Sequence, residues 1–292
     1  MRIGASVAVI TPFKNDEVDY QALGRIIEFQ IEKGIHSIVP CGTTGESATL
    51  SLEEHEQVIE FVVEKVNKRI PVITGAGSNN TKEAIRLTKH AKKIKADAVL
   101  SITPYYNKPT QQGLYEHFKA ISETIDIPIV MYNVPGRTGV NMLPETVARC
   151  AELKNIIGIK EASGDINQIT EIIRICPPSF QVISGDDGLT YPILCLGGKG
   201  VISVIANIVP DRVAKIVNEF DKGNILESRR IHLELIPLVK VAFIETNPIP
   251  IKTAASLLGL CEPELRLPLY KMQETNKQKL ISVLKNLGIY NS

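Results

Sequence analysis

The chain has 292 residues, 44 % of them apolar and 22 % charged, which is enough to bury a large core as one big α/β domain or two smaller ones. Lys and Arg number 33 against 32 Asp and Glu, so the net charge is +1 and no basic surplus exists to drive binding to nucleic acid or a membrane surface. The first residues, Met1-Arg2-Ile3-Gly4-Ala5-Ser6, lack the long apolar core of a signal peptide, and no stretch approaches a membrane span. Cys41, Cys150, Cys176, Cys195 and Cys261 are scattered with no C-x-x-C pair, which suits reduced thiols and a cytoplasmic location. The five histidines include no H-E-x-x-H pair and give a metal site no support.

Short β-rich runs alternate with longer amphipathic segments. The first run is Ala5–Ile10, and a helix is expected from near Asp19 to Gly34, with Ile26, Ile27, Gln30 and Ile31 at helical spacing. The second run is His36–Pro40; Gly42-Thr43-Thr44-Gly45-Glu46-Ser47 follows, and the next helix opens on the capping box Ser51-Leu52-Glu53-Glu54. Run three is Pro71–Thr74, with a helix capped near Asn80, and run four is Ala98–Ile102, followed by Thr103-Pro104-Tyr105-Tyr106. Run five, Pro128–Tyr132, leads into Asn133-Val134-Pro135-Gly136-Arg137, and proline opens both runs three and five, where a missing N–H is tolerated. Run six is Asn155–Ser163 with a helix from Asp165. Run seven is Gln181–Ser184, and run eight, Gly200–Val204, precedes a helix after Pro210.

Eight βα units at this spacing predict parallel strands joined by crossover helices. A doubly wound open sheet is the alternative, but Gly75-x-Gly77 lacks the third glycine of a dinucleotide fingerprint, so the expectation is a closed (β/α)8 TIM barrel. After Asp221 the pattern changes to three helical segments, about 224–245, 250–260 and 273–287, with no strand signal between them. The predicted organisation is a barrel over residues 1–223 and a C-terminal helical appendage over 224–292.

In such a barrel the reactive face lies at the C-terminal ends of the strands. Lys160 ends a run of β-branched residues that reads as a buried strand, where a charged ammonium is expensive and a neutral amine is a nucleophile for carbonyl carbon. Snorkelling, or pairing with a carboxylate, is the plainer alternative. Period-2 alternation puts Lys160 on the face of Gly158 and Ala162, opposite Ile157, Ile159 and Glu161, and so inside the barrel, with two small neighbours that leave it room. Tyr132, one strand over, has the parity to point a phenol into the barrel mouth, as a proton shuttle or as a wet interfacial aromatic. The Gly42–Ser47 loop can bind a carboxylate through N–H and O–H donors or merely cap the next helix. Of the adjacent Tyr105 and Tyr106, an extended backbone lets only one face the interior. Arg137 is either a cation for a substrate carboxylate or a surface residue, and Asp186-Asp187 reads as a cap more readily than as a metal site.

Gly42-Thr43-Thr44-Gly45-Glu46, Tyr132-Asn133-Val134-Pro135-Gly136-Arg137-Thr138 and Gly158-Ile159-Lys160-Glu161-Ala162-Ser163 together resemble the dihydrodipicolinate synthase (4-hydroxy-tetrahydrodipicolinate synthase) family. This family belongs to the Schiff-base-forming pyruvate aldolase/lyase superfamily that also holds N-acetylneuraminate lyase. The resemblance runs the whole length, including Glu245–Lys252, and the Arg137 turn points to the synthase branch rather than the sugar-acid lyases. It implies a lyase that condenses pyruvate with L-aspartate 4-semialdehyde on the way to diaminopimelate and lysine, without metal or organic cofactor. By this resemblance Lys160 would form the imine with the pyruvate ketone. Thr44 and the backbone at Ile202 would hold the pyruvate carboxylate, and Tyr132 would pass protons relayed by Thr43 and Tyr106. Arg137 would bind the semialdehyde carboxylate, and the Gly185 carbonyl would lie near the reacting amine. The resemblance also implies a homotetramer built as a dimer of dimers, with Tyr106 reaching into the neighbouring subunit's site. Ser47, Ala48, His55, Asn79, Glu83 and Tyr105 stand where the ligands of a feedback L-lysine stand, although Leu52 departs from a histidine that some lysine-sensitive members carry.

Three other readings share parts of this pattern. A different pyruvate-dependent class I aldolase or lyase, of keto-deoxy sugar acid or N-acetylneuraminate type, shares Lys160 and Tyr132 and differs at Arg137. A non-catalytic ligand-binding barrel has no need of Lys160, Tyr132, Thr43 and Tyr106 together. A phosphate-binding barrel using Gly197-Gly198-Lys199-Gly200 would carry its glycines before the last strand, at the wrong end for that face.

Overall fold

The computed structural model describes residues 1–290. Eight strands alternate with eight helices. β1 (Gly4–Ala8) leads to α1 (Tyr20–Glu32), β2 (Ser37–Val39) to α2 (Leu52–Val66), and β3 (Ile73–Gly75) to α3 (Thr81–Lys93). β4 (Ala98–Ile102) and α4 (Gln111–Thr124), then β5 (Ile129–Asn133) and α5 (Pro144–Ala151), continue the alternation. β6 (Ile156–Glu161) and α6 (Ile166–Ile175), β7 (Gln181–Ser184) and α7 (Thr190–Leu196), and β8 (Gly200–Ser203) and α8 (Pro210–Asp221) complete it. The C-terminal appendage consists of α9 (Ile225–Ala242), α10 (Ile249–Leu257) and α11 (Glu274–Asn286). The fold is a (β/α)8 barrel with a C-terminal helical appendage.

Local sequence explains where the helices begin. The Asp19 carboxylate accepts from the Ala22 N–H at 2.9 Å. Ser51 and Glu54 close the expected capping box, with reciprocal bonds of 3.1 and 2.9 Å. Asn80, Thr110 and Asp165 cap α3, α4 and α6 in the same way. Asp186 accepts from the Gly188 N–H at 2.7 Å as the cap of a 3₁₀ turn, the role its sequence favoured over metal binding. Among the described residues no cluster of His, Cys, Asp and Glu could hold a metal, and no helix is long and apolar enough to cross a membrane.

Packing divides the chain into two compact units. The first joins Met1–Gly4 to Pro71–Ile202. Its strands are parallel neighbours from β3 through β7, with β8 registered on β7 through Val201 and Ser184. Val99, Ile129, Val130, Met131, Ile159 and Ile183, drawn from both faces of the strands, are fully buried. The Gly197–Gly200 cluster is accounted for by close packing. A β-carbon at Gly198 would strike the side chain and carbonyl of Ile193, and one at Gly200 would strike the Gly4 backbone. The phosphate-loop reading therefore loses its motif.

The second unit gathers Ala5–Ile70 and the chain from Ser203 onward. Here β1 and β2 pair in parallel, Ser6 opposite Ser37 and Ala8 opposite Val39. Asn207 ties the end of β1 in place: its amide donates to the Ala8 carbonyl at 2.8 Å and accepts from the Ile10 N–H at 3.0 Å. Lys252 of α10 and Glu46 form an ion pair at 2.6 Å with side chains 1 % and 0 % exposed. The Phe13 ring lies 4.1 Å from Lys252 Nζ and 4.4 Å from the Arg266 guanidinium, and Arg266 also holds Glu54 through two bonds of 2.7 and 2.6 Å. The five cysteines are free thiols; burial pushes that of Cys150 up to about 12 and that of Cys41 up as well.

Candidate active site

Lys160 lies on β6 directly opposite Tyr132 on β5, and the next register pair is Asn133 with Glu161. Both members of the first pair are buried, Lys160 to 6 % exposure and Tyr132 to 7 %. Lys160 Nζ sits 4.2 Å from the centroid of the Tyr132 ring. Among the described residues no carboxylate pairs with it, so the plainer alternative of a buried ion pair does not account for this lysine. An amine against a phenol ring in a nearly dry setting is an arrangement for chemistry on a carbonyl carbon.

Of the two small neighbours that the alternation gives Lys160, Gly158 answers to a different contact. A β-carbon at Gly158 would collide with the Gln181 backbone, so Gly158 is required by the close approach of β6 and β7 and not by the lysine. Room for Lys160 comes from Gly185, just past β7. A β-carbon there would stand 3.1 Å from Lys160 Cε and 2.6 Å from the Ala162 β-carbon. The Gly185 N–H donates to the Glu161 carbonyl at 2.8 Å, which fixes this close approach. Ile202, on β8, is 1 % exposed.

On the opposite face of β6, Glu161 is fully buried, as the parity of Ile157 and Ile159 requires. Asn133 Nδ2 donates to its carboxylate at 3.0 Å and to Asn141 Oδ1 at 2.9 Å, and the Ser163 N–H donates to the carboxylate at 2.6 Å. Asn141 and Gln168 extend the network at 2.7 Å. Burial raises the Glu161 pKa, opposed by the bonds from Ser163 and Asn133. These polar groups clamp the ends of β5 and β6 behind the Lys160–Tyr132 pair. The sequence reading assigned them no role, although the parity that placed Tyr132 and Lys160 on one face puts Asn133 and Glu161 together on the other.

Arg137 stands exposed on a single helical turn, Pro135–Thr138, that leaves β5. The Tyr106 N–H donates to the Thr138 carbonyl at 3.2 Å, so the Tyr105–Lys108 loop is held against the Arg137 turn. Asn107 adds a bond from its amide to the Asn79 carbonyl at 3.0 Å. Tyr106 has φ of 72° and is 88 % exposed, and Tyr105 is 39 % exposed. An extended strand pointing one of the two tyrosines inward is therefore not what forms: the left-handed residue turns the chain, and both rings face outward. Glu83, half-buried like Asn79, accepts from the buried Ser78 hydroxyl at 2.5 Å.

In the second unit, Thr43 is half-buried and Thr44 is 2 % exposed. Their loop folds through Gly45 N–H to Gly42 carbonyl and Glu46 N–H to Thr43 carbonyl bonds, both 3.1 Å, and Glu46 closes it at φ 53°. The Thr11 hydroxyl donates to the Gly45 carbonyl at 2.7 Å, and Asn247 Nδ2 donates to Thr44 Oγ at 3.0 Å. Ser47 and Ala48 begin the 3₁₀ turn that follows, and His55 is buried on α2.

Residues 2–287 match the model of the Dihydrodipicolinate synthetase family. The chain belongs to this family. It is 57 % identical over 286 residues to the 4-hydroxy-tetrahydrodipicolinate synthase of Syntrophus aciditrophicus strain SB, covering 98 % of each chain. The solved structure of a monomeric dihydrodipicolinate synthase variant superposes with a TM-score of 0.97 at 48 % identity, over 99 % of this chain and 97 % of that one. That of the Cyanidioschyzon merolae enzyme with lysine bound superposes with a TM-score of 0.95 at 41 % identity, over 98 % and 99 %. Likeness at this level spans barrel and appendage alike.

Proposed function

We propose that this protein is a 4-hydroxy-tetrahydrodipicolinate synthase, a lyase that condenses pyruvate with L-aspartate 4-semialdehyde through a lysine Schiff base in the diaminopimelate route to lysine. The observation that carries the reading is the buried Lys160 amine 4.2 Å from the Tyr132 ring, with Gly185 packed against its stem. The full-length identity to named synthases selects this family member over the other pyruvate aldolases.

In this account the neutral Lys160 amine adds to the pyruvate ketone and water leaves, giving the imine. The imine nitrogen then accepts the electron pair released when a methyl proton departs, and the resulting carbon nucleophile attacks the aldehyde. Tyr132 carries protons in and out, relayed by Thr43 and Tyr106. Thr44 and the backbone at Ile202 bind the pyruvate carboxylate, the Gly185 carbonyl faces the amine, and Arg137 binds the carboxylate of the semialdehyde. Orienting both acids converts a bimolecular encounter into an effectively unimolecular step. No metal or organic cofactor enters.

The exposed Tyr106, in a left-handed conformation and tethered to the Arg137 turn, supports a role for it in a neighbouring subunit, within a homotetramer arranged as a dimer of dimers. Lysine feedback through Ser47, Ala48, His55, Asn79, Glu83 and Tyr105 is supported by the lysine-bound relative. We further assign the barrel to residues 1–223, the appendage to 224–292, and the protein to the cytoplasm.

Arg137 tests the second substrate. Arg137→Ala is expected to raise the KM for the semialdehyde or lower kcat by about 100-fold, the scale of a lost charged hydrogen-bonding pair, while pyruvate still forms its imine. Unchanged semialdehyde turnover would remove the synthase assignment and leave the wider aldolase class.

A further inference from the structure

Asn247 lies just before α10, 203 residues away from Thr44, yet its side-chain amide donates to the Thr44 hydroxyl oxygen at 3.0 Å. Thr44 is 2 % exposed and Asn247 is 5 % exposed, so neither side chain has bulk water as a substitute partner. A threonine hydroxyl has one proton to give and can accept at its oxygen. With the Asn247 amide occupying the acceptor side, the Thr44 proton must point elsewhere, and among the described residues Thr44 Oγ makes no other hydrogen bond. The hydroxyl is thereby set as a donor, the polarity that a carboxylate ligand requires.

The same segment fixes the loop around that hydroxyl. Glu46, two residues on, holds a left-handed conformation that a non-glycine residue adopts reluctantly. Its carboxylate is bound by Lys252 at 2.6 Å and by the Arg266 N–H at 3.3 Å, both from the C-terminal part of the chain. Asn247 and Lys252 thus reach back to Thr44 and Glu46, the two ends of a three-residue stretch.

We propose that Asn247 is a positioning residue for pyruvate: it orients the Thr44 hydroxyl as a hydrogen-bond donor to the substrate carboxylate, with the Glu46–Lys252 pair holding the loop backbone beneath it. The appendage accordingly sets the affinity for the first substrate without touching it. This rests on the assignment of Thr44 to the pyruvate carboxylate, and the experiment separates the two.

Steady-state constants for both substrates, with thermal unfolding, are measured for Asn247→Ala, Thr44→Val and the double variant. Asn247→Ala is expected to raise the pyruvate KM about ten-fold, the scale of one misdirected hydrogen bond, while the semialdehyde KM moves less than about two-fold. In the Thr44→Val background the Asn247 substitution should add nothing to the pyruvate KM, because its effect passes through that hydroxyl. Asn247→Asp, close to the native volume, is expected to be worse than Asn247→Ala, since a carboxylate would take the Thr44 proton and repel the substrate; it also carries the test if the alanine variant does not fold. A raised pyruvate KM in Thr44→Val with none in the Asn247 variants would overturn the positioning role alone. Additive effects in the double variant would overturn it too. An unchanged pyruvate KM in Thr44→Val would overturn the Thr44 assignment and the inference together.

Discussion

Lys160 is defined by what surrounds its four-carbon stem. The Tyr132 ring lies 4.2 Å from its Nζ, and Gly185 lies so close that a β-carbon there would be 3.1 Å from Cε and 2.6 Å from the Ala162 β-carbon. A methyl at residue 185 has to displace the lysine or Ala162. Gly185→Ala is therefore expected to lower kcat by about 100-fold, the scale of a reacting group misplaced by about 1 Å, and to destabilise the fold by about 1–3 kcal/mol through overpacking. Steady-state kinetics beside urea unfolding reads both, and wild-type kcat in the variant would show that the contact does not constrain the amine. The interior placement of Lys160 was legible in sequence, because a period of two along a short strand needs only the identities of Ile157, Ile159 and their neighbours. The reason for Gly158 was not. Its constraint is the distance to the Gln181 backbone on the next strand, and nothing within β6 encodes that distance.

At the scale of elements, each of the eight β-rich runs became a strand, with ends within two residues of those expected, the first helix starts next to Asp19, and the caps at Ser51 and Asn80 form as read. The hairpin Phe13–Lys14 with Glu17–Val18 gives no periodic signal in the sequence, although Asn15 and Asp16, at φ 56° and 64°, are the residue types such a turn favours. Two-residue strands are too short for alternation to register. The packing of α3 on α4 gives a pH signature. His117 of α4 is buried, with Nδ1 2.9 Å from the Thr81 hydroxyl, and desolvation lowers its pKa to about 4. In the unfolded chain a histidine titrates near ~6.5. As pH falls between these values the unfolded state takes up the proton first, so stability that is fully present above about pH 6.5 is lost progressively toward pH 4, by about 3 kcal/mol in all. Urea unfolding of wild type and His117→Gln at pH 7 and pH 4 isolates this contribution: the stability gap between the two proteins should shift toward the variant by about that amount at the lower pH. A constant gap would mean that His117 is protonated in the native state.

At the scale of the whole molecule, the sequence conveyed the order of the elements and the barrel class but not the work of the C-terminal segment. Glu46 meets Lys252 across 206 positions, and Arg266 meets Glu54 across 212. Pairings at that separation carry no local periodicity, and a lysine on α10 reads as an ordinary helix residue until its 1 % side-chain exposure is seen. Desolvation lowers the Lys252 pKa, opposed by its contact with Glu46, and removing one partner of such a pair strands a buried charge at a cost of about 3–5 kcal/mol. Of the site, the Lys160–Tyr132 face was legible because both residues lie near the ends of adjacent strands of known parity. The outward turn of Tyr106 was not, because its left-handed backbone follows from the Thr138 carbonyl that its N–H meets. The central claim is covalent: Lys160 forms an imine with pyruvate. Borohydride reduction in the presence of pyruvate, followed by peptide mapping of wild type and Lys160→Ala, tests it most directly. The account predicts one reduced pyruvate adduct per chain, on Lys160, with loss of activity and no adduct in the variant. An adduct on another lysine, or turnover of both substrates with none formed, would contradict it.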